Sequence, residues 1–410
     1  MDFYLQMYDK DQKLNQQSYL YGHDGDKTSL ANGLGNGYWD ILYTPTYDFQ
    51  SNMYFYQALQ DLSYLEDVLS TNGISVNESA TITTARPGVI GSSTYSKNAS
   101  DLKTIANDVV SKMRTYFWNA DTGRFMAGYD NSNNKVDYGY TVWNLEAIER
   151  GIATDDQKTR IMSWIDGEAD IYGYEFAPRT ATENKKGIYG AFIENGGNAT
   201  VKDQAFGKSL QFGGAVMYSS YYDLTSRIQV NDADDALTRL KGIQTWYDGV
   251  SNYFNTHTVA NDEFYLRYFL NQGTIPQNGV KGYGNGAVGV DGEFTESLLV
   301  TAAIPYGFFG MDSEGGNTLC VTPNLPSTMD HWKVENMQYN GVTYDLSIYK
   351  DAVRIDSVRG DATGLKVKVT LDCPEGKDIY VGGKAQNVKA GEKATVTVNF
   401  ADAIIEVREK

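Results

Sequence analysis

The stretch Asn32-Gly33-Leu34-Gly35-Asn36-Gly37-Tyr38-Trp39-Asp40 organises the reading of this 410-residue chain. Its glycines free the backbone for turns that a Cβ would close. They lead into a large aromatic pair, Tyr38 and Trp39, and then into a carboxylate, Asp40. Behind them, from Asn52, a strongly patterned helix begins. A glycine-rich loop that sets an aromatic platform and an acid above the end of a helix is one way to build a site that cleaves sugars. The plainer reading is a tight turn with Tyr38 and Trp39 in the core and Asp40 as a cap, because Gly and Asn favour turns by themselves.

Working outward, Tyr43-Thr44-Pro45-Thr46-Tyr47 reads as a turn, since Pro45 restricts both itself and the residue before it. From Asn52 to Leu69 the apolar positions Phe55, Ala58, Leu59, Leu62, Leu65 and Leu69 recur by three and four, the spacing of an amphipathic helix. A second helix carries Leu102, Ile105, Ala106, Val109, Val110, Met113 and Phe117 on one side, with Asn98 or Ser100 as its cap. A short hairpin follows at Trp118 to Phe125, and its continuation ends in an Asn-rich tip at 130–134. Asp130, Asn131 and Asn133 offer oxygen ligands there, but the closing glutamate of a calcium loop is missing and a solvated turn fits better. Helices are expected at 140–150 and 155–166, within 208–228 and 231–254, and from Glu296 to Phe309. The connection 168–206 is long for a compact domain, which usually marks function. Beyond Gly310 the period changes to two: Tyr344 to Ile348, Leu365 to Leu371, Ala394 to Phe400 and Ile404 to Val407 read as strands.

Composition narrows the function classes. Thirty-five basic residues stand against 52 acidic ones, a net charge of −17. Nucleic acid is therefore disfavoured as a partner, because its affinity comes from neutralising phosphates with Lys and Arg. An anionic membrane surface is disfavoured for the same reason, and no run of 18 apolar residues spans a bilayer. Met1-Asp2-Phe3-Tyr4 lacks the basic start and apolar core of a signal peptide. A soluble protein is expected, cytoplasmic or secreted from a longer precursor. Two cysteines and three histidines, His23, His257 and His331, form no metal-ligand spacing, so neither a cofactor nor a metal is expected. Chemistry then falls to carboxylates. The 31 Tyr, 16 Phe and 6 Trp include flat faces with a polar tip, suited to stacking on ligand rings.

Further segments carry chemistry. Phe192-Ile193-Glu194-Asn195-Gly196-Gly197 sits in the long connection, Gln211-Phe212-Gly213-Gly214 follows it, and Asp291-Gly292-Glu293-Phe294-Thr295-Glu296 precedes the last helix. With Gly37-Tyr38-Trp39-Asp40 and the Pro323-Asn324-Leu325-Pro326 segment after the last helix, this set resembles the six-hairpin (α/α)6-toroid glycosidases. That superfamily includes glycoside hydrolase families 37 and 63, α-rhamnosidase-like families and disaccharide phosphorylases. The resemblance covers most of residues 30–350. It implies a mainly α fold, an (α/α)6-toroid-type catalytic domain at 1–315 followed by a small C-terminal antiparallel β-sandwich at 316–410. Fewer helical segments are legible than a complete toroid needs. Either inner helices buried on both sides are blurred in the pattern, or the N-terminal part of a larger enzyme is missing.

The resemblance also implies an inverting hydrolase of O-glycosidic bonds, with an oligosaccharide as substrate. Asp40 would protonate the leaving oxygen. Glu296 would activate water from the opposite face, with Glu293 and Glu194 as the alternatives. Packing against Trp39 and Tyr38 would hold the proton on Asp40, since desolvation disfavours the charged form. Glu296 also reads as an ordinary acid at a helix N-terminus, and Glu194 as a turn acid beside Asn195. Asn195 and Gln211 are candidate hydroxyl contacts. Tyr38, Trp39, Tyr140 and Trp143 are candidate stacking residues, with a buried core position the plainer reading for Trp143. A phosphorylase of the same fold, and a non-catalytic carbohydrate-binding protein, are the rival functions. Phosphate dependence separates the first. The absence of a carboxylate pair at roughly 6.5–9.5 Å separates the second.

Overall fold

The computed structural model describes residues 5, 7–16, 34–36, 43–74, 97–137, 141–165, 192–193, 215–216, 219–241, 244, 295–389 and 391–410. The chain divides into two units, Met1–Tyr222 with Gly242–Ser297, and Asp223–Lys241 with Leu298–Lys410.

In the first unit, helix α1 (Phe49–Thr71) starts where the Asp48 carboxylate accepts the backbone N–H of Ser51 at 2.9 Å. Its buried side is Phe49, Asn52, Met53, Phe55, Tyr56, Leu59, Ser63 and Glu66. The expected stripe is thus rotated toward the start of the helix, and Leu65 is 53% exposed. Asn52 explains part of that shift. Its amide accepts from the backbone of Asn15 at 2.7 Å and donates back to the same residue's carbonyl at 3.0 Å, tying down the hairpin of Tyr8–Asp9 and Leu14–Asn15. Helix α2 (Ala99–Tyr116) opens on a capping box between Asn98 and Asp101 and buries Leu102, Ala106, Val109, Val110 and Met113. Helices α3 (Thr141–Glu149) and α4 (Asp155–Ile165) follow at the places the spacing predicts.

Between α2 and α3 the expected hairpin forms, with Trp118 opposite Phe125. Asp137 holds it, accepting from Asn119 at 2.8 Å, Thr122 at 3.0 Å and Arg124 at 2.9 Å. The Arg124 guanidinium lies 4.7 Å from the ring of buried Trp164. The Asn-rich tip is an Asx-type turn: Asp130 accepts from Ser132, Asn134 and the Asn134 amide at 2.8–2.9 Å. Tyr43–Pro45, expected as a turn, is a strand that pairs with Leu34–Asn36.

Helix α5 (Ser219–Val230) runs from the first unit into the second. In the second, the run expected as one helix from Glu296 to Phe309 is a 3-10 segment, Thr295–Ala302, continued by a π-helical turn, Ala303–Phe308. Pro305 lies inside that turn and has no N–H to give to an ordinary helical ladder. Gly310 ends the segment at φ +55°, where a Cβ would stand 2.0 Å from the carbonyl oxygen of Thr322.

Ten strands complete this unit: β1 (Met311–Glu314), β2 (Thr318–Val321), β3 (His331–Tyr339), β4 (Val342–Tyr349), β5 (Ala352–Arg359), β6 (Lys366–Asp372), β7 (Lys377–Val381), β8 (Lys384–Ala385), β9 (Lys393–Asn399) and β10 (Ala403–Glu409). They form a four-stranded sheet, β1-β2-β6-β9, and a six-stranded sheet, β3-β4-β5-β10-β7-β8. Alternation on β6 buries Val367, Val369 and Leu371. Phe400, just after β9, meets Tyr344 of β4 edge-on at 5.0 Å, so both sheets contribute to one core.

Two expectations are corrected here. The mainly α class does not hold, because the described residues are 38% helix and 31% strand, in several sheets. The C-terminal sheets are not purely antiparallel either, since β2 and β6 pair in parallel. The helical periodicity of the N-terminal segments is conspicuous. Strand content accrues from many short pairs and from the nearly continuous sheet beyond Gly310.

Candidate functional site

The expected site residues fall mostly outside the described residues: Tyr38, Trp39, Asp40, Tyr140, Glu194, Asn195, Gln211 and Glu293 all lie there. Glu296 is placed by its backbone only, as the second residue of the 3-10 segment Thr295–Ala302. Trp143 is on α3 with 1% of its surface exposed, so its ring belongs to the core. The flanks of the Asp40 segment are fixed more closely. Leu34 stands opposite Pro45, Gly35 opposite Thr44 and Asn36 opposite Tyr43, so residues 37–42 connect two paired antiparallel strands.

The described residues contain a polar group that sequence reading did not single out. Helix α3 is buried along Val142, Trp143, Asn144, Leu145, Glu146, Ala147 and Ile148. Asn144 is accounted for, because its amide accepts from the Phe125 N–H at 2.7 Å and donates to the Phe125 carbonyl at 3.2 Å, docking α3 on the hairpin. Glu146 has no such backbone partner. It is 3% exposed, and burial pushes its carboxyl up to about 7 against the pull of Arg150 and of hydrogen bonds from Tyr54 and Tyr222.

Around that carboxyl the charges are near one another without being hydrogen-bonded. Arg150 follows one turn later, with Nε 3.9 Å from Oε2 of Glu146, too long for a hydrogen bond. Neither of those two buried atoms has a hydrogen-bond partner. The Arg150 guanidinium lies 5.4 Å from the centre of the Tyr54 ring. Tyr54 keeps 45% exposure, yet burial and the neighbouring Glu146 push its hydroxyl up to about 12. The exposure therefore belongs to the ring, and the hydroxyl end lies inside against the carboxyl. From α5, Tyr221 donates to Glu149 at 3.3 Å, and its ring meets that of Tyr222 edge-on at 5.1 Å. Burial also raises the Glu149 carboxyl and the Tyr222 hydroxyl.

A carboxyl that titrates near neutrality, a guanidinium, a second carboxyl and three phenols can hold or pass a proton and can bind a hydroxyl-bearing ligand. The signal in the sequence was Glu146 within the largely apolar run Val142-Trp143-Asn144-Leu145-Glu146-Ala147-Ile148, with Arg150 four residues on. Among the described residues no group of three or more His, Cys, Asp or Glu is placed to hold a metal ion, and no helix is long and apolar enough to cross a membrane.

No known family profile matches the chain, and no curated protein matches it. Solved structures resemble it in part. The GH78 family rhamnosidase of Bacillus sp. GL1 aligns at 11% identity and a TM-score of 0.46, over 90% of this chain and 29% of that one. The Streptomyces avermitilis alpha-L-rhamnosidase complexed with L-rhamnose aligns at 9% identity and 0.43, over 92% and 28%. A candidate kojibiose phosphorylase from the human microbiome aligns at 11% identity and 0.31, over 75% and 32%. The chain thus spans about three-tenths of the length of these solved chains. Scores this low assign neither a family nor an activity.

Proposed function

We propose that this chain is a carbohydrate-active enzyme that hydrolyses O-glycosidic bonds of an oligosaccharide with inversion at the anomeric carbon. Asp40 is the general acid. Glu296 is the base that activates water, and Glu293 or Glu194 takes that role if Glu296 does not. Tyr38 and Trp39 stack on the sugar ring, and Asn195 and Gln211 contact hydroxyls. The observation that carries the reading is the segment Tyr38-Trp39-Asp40, an aromatic pair and an acid in the connection whose two ends are clamped by the pairing of Leu34–Asn36 with Tyr43–Pro45. Pairing at both ends limits the conformations open to a connection, and orientation of reacting groups is a main source of catalytic rate. With 52 acidic residues against three histidines and two cysteines, carboxylates are the abundant proton-transfer groups.

The test is turnover of a panel of neutral oligosaccharides by the wild type, Asp40→Asn and Glu296→Gln. Each substitution is expected to lower kcat by about 10²–10⁴-fold, the usual contribution of a general acid or base. Proton NMR of the first-formed product should show the inverted anomer. A retained anomer rules out this mechanism, and full activity in Asp40→Asn removes that residue from its role. Turnover that requires inorganic phosphate makes the enzyme a phosphorylase instead.

A further inference from the structure

We infer that the outer edge of strand β9 is a self-pairing surface, through which two copies of this chain join their four-stranded sheets into one across a two-fold axis at Val396. Strand β9 closes the sheet β1-β2-β6-β9, and among the described residues no strand pairs with its outer side. The Phe400 N–H donates to the Leu365 carbonyl at 3.0 Å and the Cys373 N–H to the Glu392 carbonyl at 3.2 Å, both in step with the register of β6 and β9. Ala394, Val396 and Val398 therefore turn their backbone groups to β6, while Lys393, Thr395, Thr397 and Asn399 turn theirs outward. The Thr395 and Thr397 side chains are exposed, and Val398 is half-buried.

The other three edges of the two large sheets are blunted in the ways that usually prevent pairing. Strand β3 carries the charges of Lys333 and Glu335 and a bulge between Val334 and Met337, with Asn336 at φ +56°. Strand β1 has four residues, two of them Asp312 and Glu314, and β8 has only two residues. Strand β9 has seven residues, runs without a bulge against β6, and carries no charge after Lys393. Its sequence selects the occupant. Lys393-Ala394-Thr395-Val396-Thr397-Val398-Asn399 is complementary to itself when reversed. Antiparallel pairing centred on Val396 sets Thr395 opposite the partner's Thr397, Val396 opposite the partner's Val396, and Lys393 opposite the partner's Asn399. Ala394 then covers the partner's half-buried Val398. Thr–Thr and β-branched pairs favour such a seam, and no like charges stand directly opposite each other in it. The whole chain carries a net charge of −17, so two copies repel at acidic surfaces, whereas this strand holds no acid. One patch meeting its own copy is the isologous contact of a two-fold dimer.

Sedimentation equilibrium of the full chain between about 1 µM and 1 mM tests this, a range suited to a strand pair smaller than a tight interface. The mass should rise toward that of a dimer within it. Amide hydrogen exchange should slow with concentration at Thr395 and Thr397 and stay constant at Val396, whose N–H already serves β6. Thr395→Lys sets two like charges diagonally across the axis and should weaken association by about tenfold or more. Thr397→Pro removes an outward N–H without touching the β6 ladder and should do the same. Gln338→Lys adds the same charge on the bulged edge of β3 and should associate as the wild type does. Thr395 is exposed, so Thr395→Lys should melt with the wild type; if Thr397→Pro does not, Thr395→Lys decides. A chain that stays monomeric throughout overturns the inference, and so does a dimer of unchanged affinity in both β9 variants. A monomer whose Thr395 and Thr397 amides are protected only by an added extended peptide also overturns it, because the edge then serves another protein's strand.

Discussion

Two carboxylate–arginine pairs sit at the same helical spacing in this chain, and they are built for different ends. On α5, Arg227 reaches Asp223 one turn back at 2.8 Å, with both side chains fully buried. Arg227 also reaches Asp235 at 2.8 Å, and Asp223 takes Arg239 at 3.0 Å, so each charge has two opposite partners. On α3, Glu146 and Arg150 stand 3.9 Å apart with no hydrogen bond between them, and phenols surround them. Burying charge is costly unless it is paired and hydrogen-bonded. The α5 group meets that cost with salt bridges. The α3 group meets it by keeping a proton on Glu146. The first group is held by opposite charges in direct contact, whereas the second keeps a titratable group at its centre.

The largest expected effect breaks the salt bridges on α5. Arg227→Met strands Asp223 in the core beside Arg239 alone, and removing one partner of a buried pair typically costs about 3–5 kcal/mol. Urea denaturation at pH 7 should show a loss of that order. A loss under about 1 kcal/mol would mean that the α5 charges do not depend on each other, and the contrast with α3 would disappear.

Next in size is the pH dependence contributed by Glu146. In the folded protein it holds its proton to about pH 7, against 4.5 for the ordinary group. Below about 4.5 the carboxyl is protonated in both states and its contribution to stability is complete. As pH rises from there to about 7, the folded state binds more protons than the unfolded one, so stability falls, by on the order of 3 kcal/mol in all. Above the folded value nothing more is lost. Glu149 is raised too and acts in the same direction. Other carboxylates titrate in this range, so the informative quantity is wild type minus Glu146→Gln at each pH. That difference should change across pH 4.5–7, and a flat difference would show that Glu146 is ionised in the fold.

Arg150→Met should be milder than Arg227→Met, about 1 kcal/mol at pH 6, because a protonated Glu146 does not need a counter-charge. Its cost should grow above pH 7, where the lone carboxylate is buried without its cation. Equal costs at pH 6 and pH 8 would show that the pair is not linked to a proton.

What the sequence made legible follows from how local each signal is. Helices α1 and α2 were readable because spacing by three and four, and for α2 the cap at Asn98, lie within the segments themselves, whereas the start of α1 behind Asp48 was read three residues late. Four of the ten strands beyond Gly310 were readable from alternation, at Tyr344 to Ile348, Leu365 to Leu371, Ala394 to Phe400 and Ile404 to Val407. The parallel pairing of Thr318–Val321 with Lys366–Asp372 was not, because register between distant strands leaves no local trace. The 3-10 and π path through Pro305 was likewise read as plain helix, although the proline was the clue. At the candidate site only Glu146 and Arg150 left a local mark. Tyr54 comes from one helix far upstream and Tyr222 from another far downstream, and only packing brings them to the same carboxyl.

The smallest effect separates those distant contributions. Tyr54→Phe keeps the ring and its contact with Arg150 but removes the hydroxyl that lowers the Glu146 titration point. Because the hydroxyl stabilises the ionised form, its loss should move the Glu146 midpoint upward, and NMR titration of the Glu146 side-chain carboxyl reads this directly. The stability cost at pH 6 should be small, about 0.5 kcal/mol, since the protonated carboxyl loses one neutral hydrogen bond. A midpoint that moves down instead would mean that Tyr54 acts by excluding water rather than by donating. The α3 group would then be held together by burial alone.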